Sequence, residues 1–225
     1  MSEPDTRPAP PARPRGFAAR ALGQPLLWLV AVGLLFGLPI ARSVRRRLAA
    51  APAILGTVPA FALTDQTSRP FGTRDLAGKV WVADFVFTAC QEACPLLSQR
   101  MEEVGRRTKQ LGPDFHLVSI SVDPERDTPA RLAEYAARYH ASPLAWSFLT
   151  GPADAIQSAV TDGFKVGMGK EAVTPDGGGP TFFEIFHGEN LVLVDRAQRI
   201  RGYFRSSPED VDRLVEAIGR VANEP

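Results

Sequence analysis

The sequence predicts an α/β fold, a three-layer domain that follows an N-terminal transmembrane helix. Three observations lead there. Residues 25–41 form one uncharged apolar stretch near the start of the chain. From Phe61 onward, short β-branched and aromatic runs alternate with amphipathic segments of helical period. The chain ends on a strand–turn–strand pattern followed by a capped helix. Strands alternating with helices read as a sheet covered on both faces.

The first 24 residues are rich in Pro, Arg and Ala. They hold too little apolar surface to offset the entropy of ordering and are expected to be disordered. Residues 25–41, "PLLWLVAVGLLFGLPIA", would span about 25 Å as a helix, slightly short of the ~30 Å hydrocarbon core. Arginines on either side can snorkel to cover the difference. No polar face is present, so this is not the helix of a soluble core. A cleaved signal would end in a small-residue site, whereas this segment runs into Arg42, Arg45, Arg46 and Arg47. An uncleaved anchor is the expectation. Four arginines lie on each side, so charge alone does not orient it. Residues 42–60 are expected to be a tether and residues 61–225 the folded domain.

The charge of +1 is unevenly placed. Residues 1–47 carry eight Arg against Glu3 and Asp5, and the remainder is net acidic. A body of that sign does not suit nucleic acid. The chain has two cysteines, too few for a disulfide framework and unnecessary for a core of this size.

Within the domain, "GKVWVADFVFT" is a continuous apolar run suited to a central strand. The helix expected after it runs from Pro95 to Leu111, with Gly112 as its stop. "FHLVSISVD" is a second strand. "DTPARLAEYAARYH" is a helix with Asp127 or Thr128 as its cap and Pro129 in its first turn. "WSFLT" is a strand, "GPADAIQSAVTDGF" a helix, and "NLVLVDRAQRIRGYF" a hairpin around Asp195–Arg199. "SSPEDVDRLVEAIGRV" is a helix capped by Ser207. The order is that of a thioredoxin-type domain.

Both cysteines sit where the central strand gives way to a helix, the end of an α/β sheet at which ligands bind. With Pro95 as the first helical residue, Cys94 is expected at or near the N-cap, where the dipole favours thiolate. Cys90 lies in the preceding turn, so the sulfurs can approach each other. The C-x3-C spacing by itself suits either a redox pair or two thiolates on a soft cation such as Cu(I) or zinc. Asp84, inside the strand, is expected to be partly buried with a raised pKa. His116 and His140 have adequate structural readings.

These residues carry a resemblance. "FVFTACQEACP" resembles the F-x-F-T-x-C-x-x-x-C-P signature of the SCO/SenC family. "VSISVDPERDTPARLAEYA" resembles its V-D-P-x-R-D-T-P segment, and "FHGENLVLVDRAQRIRGYF" its histidine ahead of a "LVD" strand. "FALTDQTSRPFGTRDLAGKV" resembles an N-terminal hairpin shared with peroxiredoxin-like relatives. The match runs in order over about 61–221. It implies a membrane-tethered, thioredoxin-like, copper-binding protein that serves assembly of the CuA centre of cytochrome c oxidase. The implied metal ligands are Cys90, Cys94 and His187, holding a copper ion as Cu(I) or Cu(II). The implied partners are the CuA-bearing oxidase subunit, a periplasmic thioredoxin-like reductant or another copper chaperone, and the membrane, with the domain on the outer side of the cytoplasmic membrane. The same pair, Cys90 and Cys94, would serve a thiol–disulfide oxidoreductase acting on a copper-receiving partner. A distant imidazole favours the metal reading, because disulfide exchange does not need one. A peroxidatic P-x-x-x-T-x-x-C site is absent. One departure stands out: many members carry "CPDxCP", and here the loop is Gln91, Glu92 and Ala93. The segment Val166–Phe186, which precedes His187, is expected to be a flexible loop through Gly177–Gly179, with Met168 as an incidental thioether.

Overall fold

The computed structural model describes residues 25–48, 51–90, 93–166, 168–173, 182–187 and 190–224. Two units are distinct, Met1–Ala49 and Ala50–Pro225.

In the first unit, helix α1 (Pro25–Val32) passes through a π turn, Gly33–Gly37, into α2 (Leu38–Leu48). Pro39 has no N–H to donate into the turn before it, and a π turn accommodates that loss. Pro25–Ser43 is long and apolar enough to cross a membrane, and none of it is buried within the protein. The helix runs past the expected boundary at residue 41 because arginine is a good helix former and nothing in "ARSVRRRL" breaks it.

The second unit opens with β1 (Gly56–Thr57), β2 (Ala62–Asp65), β3 (Pro70–Gly72) and β4 (Val80–Val86). Helix α3 (Ala93–Arg107) follows, then a 3₁₀ segment, Lys109–Asp114, and β5 (Phe115–Ser121). Next come α4 (Pro129–Arg138), β6 (Trp146–Thr150) and α5 (Ala153–Gln157), which continues as a π segment, Ser158–Gly163. Strands β7 (Met168–Val173), β8 (Phe182–His187), β9 (Asn190–Val194) and β10 (Arg199–Arg205) precede the last helix, α6 (Pro208–Ala222).

Eight strands form one sheet in the order β1-β10-β9-β4-β5-β6-β2-β3. Strands β4, β5 and β6 are parallel neighbours, and β9 joins β4 antiparallel. All seven residues of β4 are buried because layers cover both faces. Val80, Val82 and Val86 share a core with Cys94, Leu97 and Met101 of α3, Leu132 and Tyr135 of α4, and Leu214 and Ile218 of α6. Trp81, Ala83 and Phe85 point the other way, into a second core with Ile156, Val160 and Phe164. The alternation along one strand therefore builds a three-layer, thioredoxin-like domain.

Three expectations need adjustment. Helix α3 ends at Arg107, and the stretch to Leu111 tightens into the 3₁₀ segment, which kinks at Gly112 with a positive φ of 56°. The tether is shorter than residues 42–60, because Leu55 N–H donates to Ile200 O and Val58 N–H to Gln198 O, each at 2.8 Å, and Arg201 Nε donates to Pro52 O. These bonds lay the last part of that segment along the edge of the sheet. The segment expected to be a loop contains β7 and β8, paired antiparallel as a separate two-stranded ribbon. The three glycines between them lie outside the described residues.

Candidate functional site

Strand β4 delivers the chain to the cysteines. After Val86 a turn closes with Cys90 N–H donating to Phe87 O at 3.2 Å. Cys90 is half-buried, Cys94 is fully buried, and neither is in a disulfide. The Cys94 N–H donates to Cys90 Sγ at 3.3 Å. The described helix α3 runs from Ala93, so Cys94 lies near its start, as expected, with Pro95 directly after it. The first four N–H groups of a helix lack intrahelical acceptors, so the first turn tolerates proline there, and the Cys90 sulfur serves one of those donors.

The expected thiolate at Cys94 is corrected. Burial pushes the Cys94 thiol up well above the usual cysteine range. Its hydrogen bond with Cys90 pushes the same way, the Phe87 backbone opposes, and charge on Cys90 and Asp84 adds to the rise. A helix terminus offers about 0.3–1 kcal/mol to an anion, whereas full burial moves a pKa by up to about 3–5 units. Desolvation wins, and Cys94 is a neutral thiol near pH 7. Cys90 is the more accessible sulfur.

Asp84 lies between Val82 and Val86 on the strand face that carries Cys94. It is completely buried, and burial raises its pKa to about 7 against the bond from Ser119. Ser119 Oγ donates to Asp84 Oδ1 at 2.5 Å and accepts from Trp146 Nε1 at 2.9 Å. The expectation of partial burial thus becomes full burial, at the β4 end of a polar chain that runs through Ser119 of β5 to Trp146 of β6.

Asp127 was legible only as a candidate cap. Thr128 does the capping, its Oγ1 accepting from Arg131 N–H. The Asp127 carboxylate instead turns toward the cysteine loop. It accepts from Thr88 N–H at 3.3 and 3.1 Å, from Thr88 Oγ1 at 2.5 Å and from Ser121 Oγ at 2.6 Å. Arg126 pairs locally, its Nε at 3.7 Å from Asp123.

The histidines separate clearly. His116 is buried, with Nε2 at 2.9 Å from Ser147 Oγ and its ring stacked on Phe71. Burial, assisted by the charge of Lys79, lowers its pKa to about 4. His140 is exposed beside Glu102. Both fit structural roles. His187 is the last residue of β8, opposite Met168 in the ribbon. Its side chain lies outside the described residues, as do Gln91 and Glu92. Among the described residues, no three His, Cys, Asp or Glu side chains converge as a metal cluster. A groove of about 1030 Å³ follows the other end of α3, lined by Glu102, Arg106, Lys109, His140 and Leu144, and contains neither cysteine. The chemistry of the described site is that of two sulfurs at one helix start. Such a pair can close as a disulfide or bind a soft cation once deprotonated.

A family model described as SCO1/SenC matches residues 52–223. The SCO1 protein homolog of Bacillus subtilis is 38% identical over 94 residues, 42% of this chain and 49% of that protein. The aligned part therefore spans about half of that relative's length. Among solved structures, Bradyrhizobium japonicum ScoI with copper bound is similar at TM-score 0.59 and 28% identity, over 71% of this chain and 98% of that one. BsSco, described with a disulfide switch and as a member of the Sco family of cytochrome c oxidase assembly proteins, is similar at TM-score 0.61 and 25% identity. That likeness covers 79% of this chain and 99% of the other.

Proposed function

The chain belongs to the SCO1/SenC family, and from that premise we propose that it is a membrane-anchored copper carrier serving assembly of the CuA centre of cytochrome c oxidase. The observation that carries this reading is the Cys94 N–H bond to Cys90 Sγ, which holds two soft donors at one helix start. Their donor chemistry fits copper: thiolate sulfur selects Cu(I) over hard cations, and an imidazole such as His187 suits either oxidation state. Copper is cargo here. Cys90 offers the sulfur reached first, and Cys94 closes the site after giving up its proton. The copper-bound ScoI structure and the oxidase-assembly description of BsSco support carrying the role over.

Residues 25–43 then act as an anchor in the cytoplasmic membrane, with the domain on its outer side, where the CuA-bearing subunit would be met. The apolar, unburied helix supports this placement. A thioredoxin-like reductant or another copper chaperone would restore the thiols or supply the metal.

A second reading, reduction of the partner's own cysteines, is favoured by the asymmetry of the pair. An accessible sulfur beside a buried one is arranged to attack first and resolve second. One experiment separates the two. The full chain in detergent, loaded with copper, is mixed with the copper-free CuA domain of the oxidase, its cysteines already reduced. The carrier reading expects the visible absorption of the CuA centre to develop. No transfer to reduced acceptor, with reduction of an oxidised acceptor by the metal-free chain, would replace it with the reductase reading.

A further inference from the structure

The loop from Phe87 to Cys90 carries the accessible sulfur, yet within itself it shows a single backbone bond, Cys90 N–H to Phe87 O. Both donors of Thr88, its N–H and its hydroxyl, go to a residue 39 positions away. We propose that Asp127 is a positioning residue for the Cys90–Cys94 pair, its carboxylate clamping Thr88 so that the Cys90 sulfur stays at the start of α3.

Four features of the geometry carry this. Asp127 is 1% exposed, so its carboxylate is directed inward. It takes both donors of Thr88, backbone and hydroxyl, two residues before Cys90. It is itself held from behind: Ser121 Oγ at the end of β5 donates to it, and its own N–H donates to Asp123 O at 2.9 Å. Helix α4 does not use this carboxylate, because Thr128 supplies the cap. A buried carboxylate takes strong, directional bonds from such donors, so the loop end is fixed in both position and rotation. The ends of two parallel strands are thereby stapled to each other at the point where the sulfurs emerge.

Positioning sets how readily the two sulfurs join. In the copper-free chain, glutathione disulfide takes the two thiol hydrogens and two electrons: the Cys90–Cys94 bond forms, the glutathione S–S bond breaks, and two molecules of reduced glutathione leave. The equilibrium constant reports how well the loop presents one sulfur to the other. The proposal uses the same cysteine pair as the copper reading, but this exchange involves no copper, so either can fail alone.

The test is that constant, measured on the full-length chain in detergent for wild type, Asp127→Asn, Thr88→Val, Thr88→Ser and Asp65→Asn. Asparagine turns one acceptor into a donor that faces other donors. Valine removes the hydroxyl bond and keeps the shape. Serine keeps it. Asp65 takes a similar set of bonds from Thr67 and Arg69 in the β2–β3 turn, and serves as the control for general destabilisation. The expected result is a disulfide constant at least tenfold lower for Asp127→Asn, about 30 mV for a two-electron couple. A smaller drop is expected for Thr88→Val, with wild-type values for Thr88→Ser and Asp65→Asn. A folded Asp127→Asn chain at the wild-type constant overturns the proposal, as does an equal fall in Asp65→Asn. Where Asp127→Asn does not fold, Thr88→Val decides: a lowered constant sustains the role and an unchanged one removes it.

Discussion

Cys94 donates its backbone N–H to Cys90 Sγ across 3.3 Å, so the four-residue step between the cysteines places the Cys90 sulfur against the backbone of Cys94. Oxidation of the pair is expected to abolish copper binding reversibly. A disulfide removes both sulfur donors at once, and a lone imidazole is a weak site. Copper retained by the chain should be lost after mild oxidant and regained after reductant, with circular dichroism unchanged throughout. Full retention in a sample that mass spectrometry shows to contain the disulfide would disprove the gate.

Copper uptake should release protons. The Cys94 thiol is held protonated at neutral pH, chiefly by burial, and a metal-bound sulfur is deprotonated. Affinity should therefore rise with pH, by about tenfold per unit for each proton displaced. Competition against a chelator of known pH dependence between about pH 6 and 8 measures the slope. A flat line would mean that Cys94 stays protonated and is not a ligand.

Asp84 gives the fold a pH dependence of its own. Burial raises its folded pKa from the ordinary 3.8 to about 7. A raised carboxyl favours the protonated folded state, so its contribution is complete below about pH 4 and is lost as pH climbs to about 7. Asp84→Asn has no charge to gain. Its stability relative to wild type should increase across that window by up to about 4 kcal/mol, then level off. Urea midpoints of both chains at several pH values check this, and a constant difference across the window would contradict it.

The strands and the terminal helix were legible because their signals are local. The seven-residue run of β4, the turn at Asp195, and Ser207 followed by Pro208 each declare themselves within a few positions. Pro95 marks the start of a helix in the sequence, and the described part of α3 reaches two residues further back, to Ala93. The state of Cys94 was illegible. Its burial depends on Leu132, Tyr135, Leu214 and Ile218 arriving from α4 and α6, and spacing does not report that. Asp127 and Thr88 were each visible as polar loop residues, but a bond spanning 39 positions has no local signature. The ribbon of β7 and β8 was hidden by the glycine run between its strands.

The three histidines should respond differently to alanine. His187→Ala should lower copper affinity with little change in stability. His116→Ala should cost about 1–3 kcal/mol, because it empties a buried site between Ser147 and Phe71 and leaves the serine hydroxyl without its partner. His140→Ala should change neither, its ring being exposed. Chelator competition and denaturant titration on the three variants separate these outcomes. Unchanged copper affinity in His187→Ala would remove the imidazole from the ligand set.

The most direct test of the account is a count of copper ions bound per reduced chain, for wild type and for the Cys90→Ala/Cys94→Ala double variant. The full-length protein in detergent is reduced, titrated with Cu(I) under anaerobic conditions, desalted and assayed for metal and protein. The account predicts one copper per wild-type chain and none retained by the double variant. Equal retention by the two would contradict it.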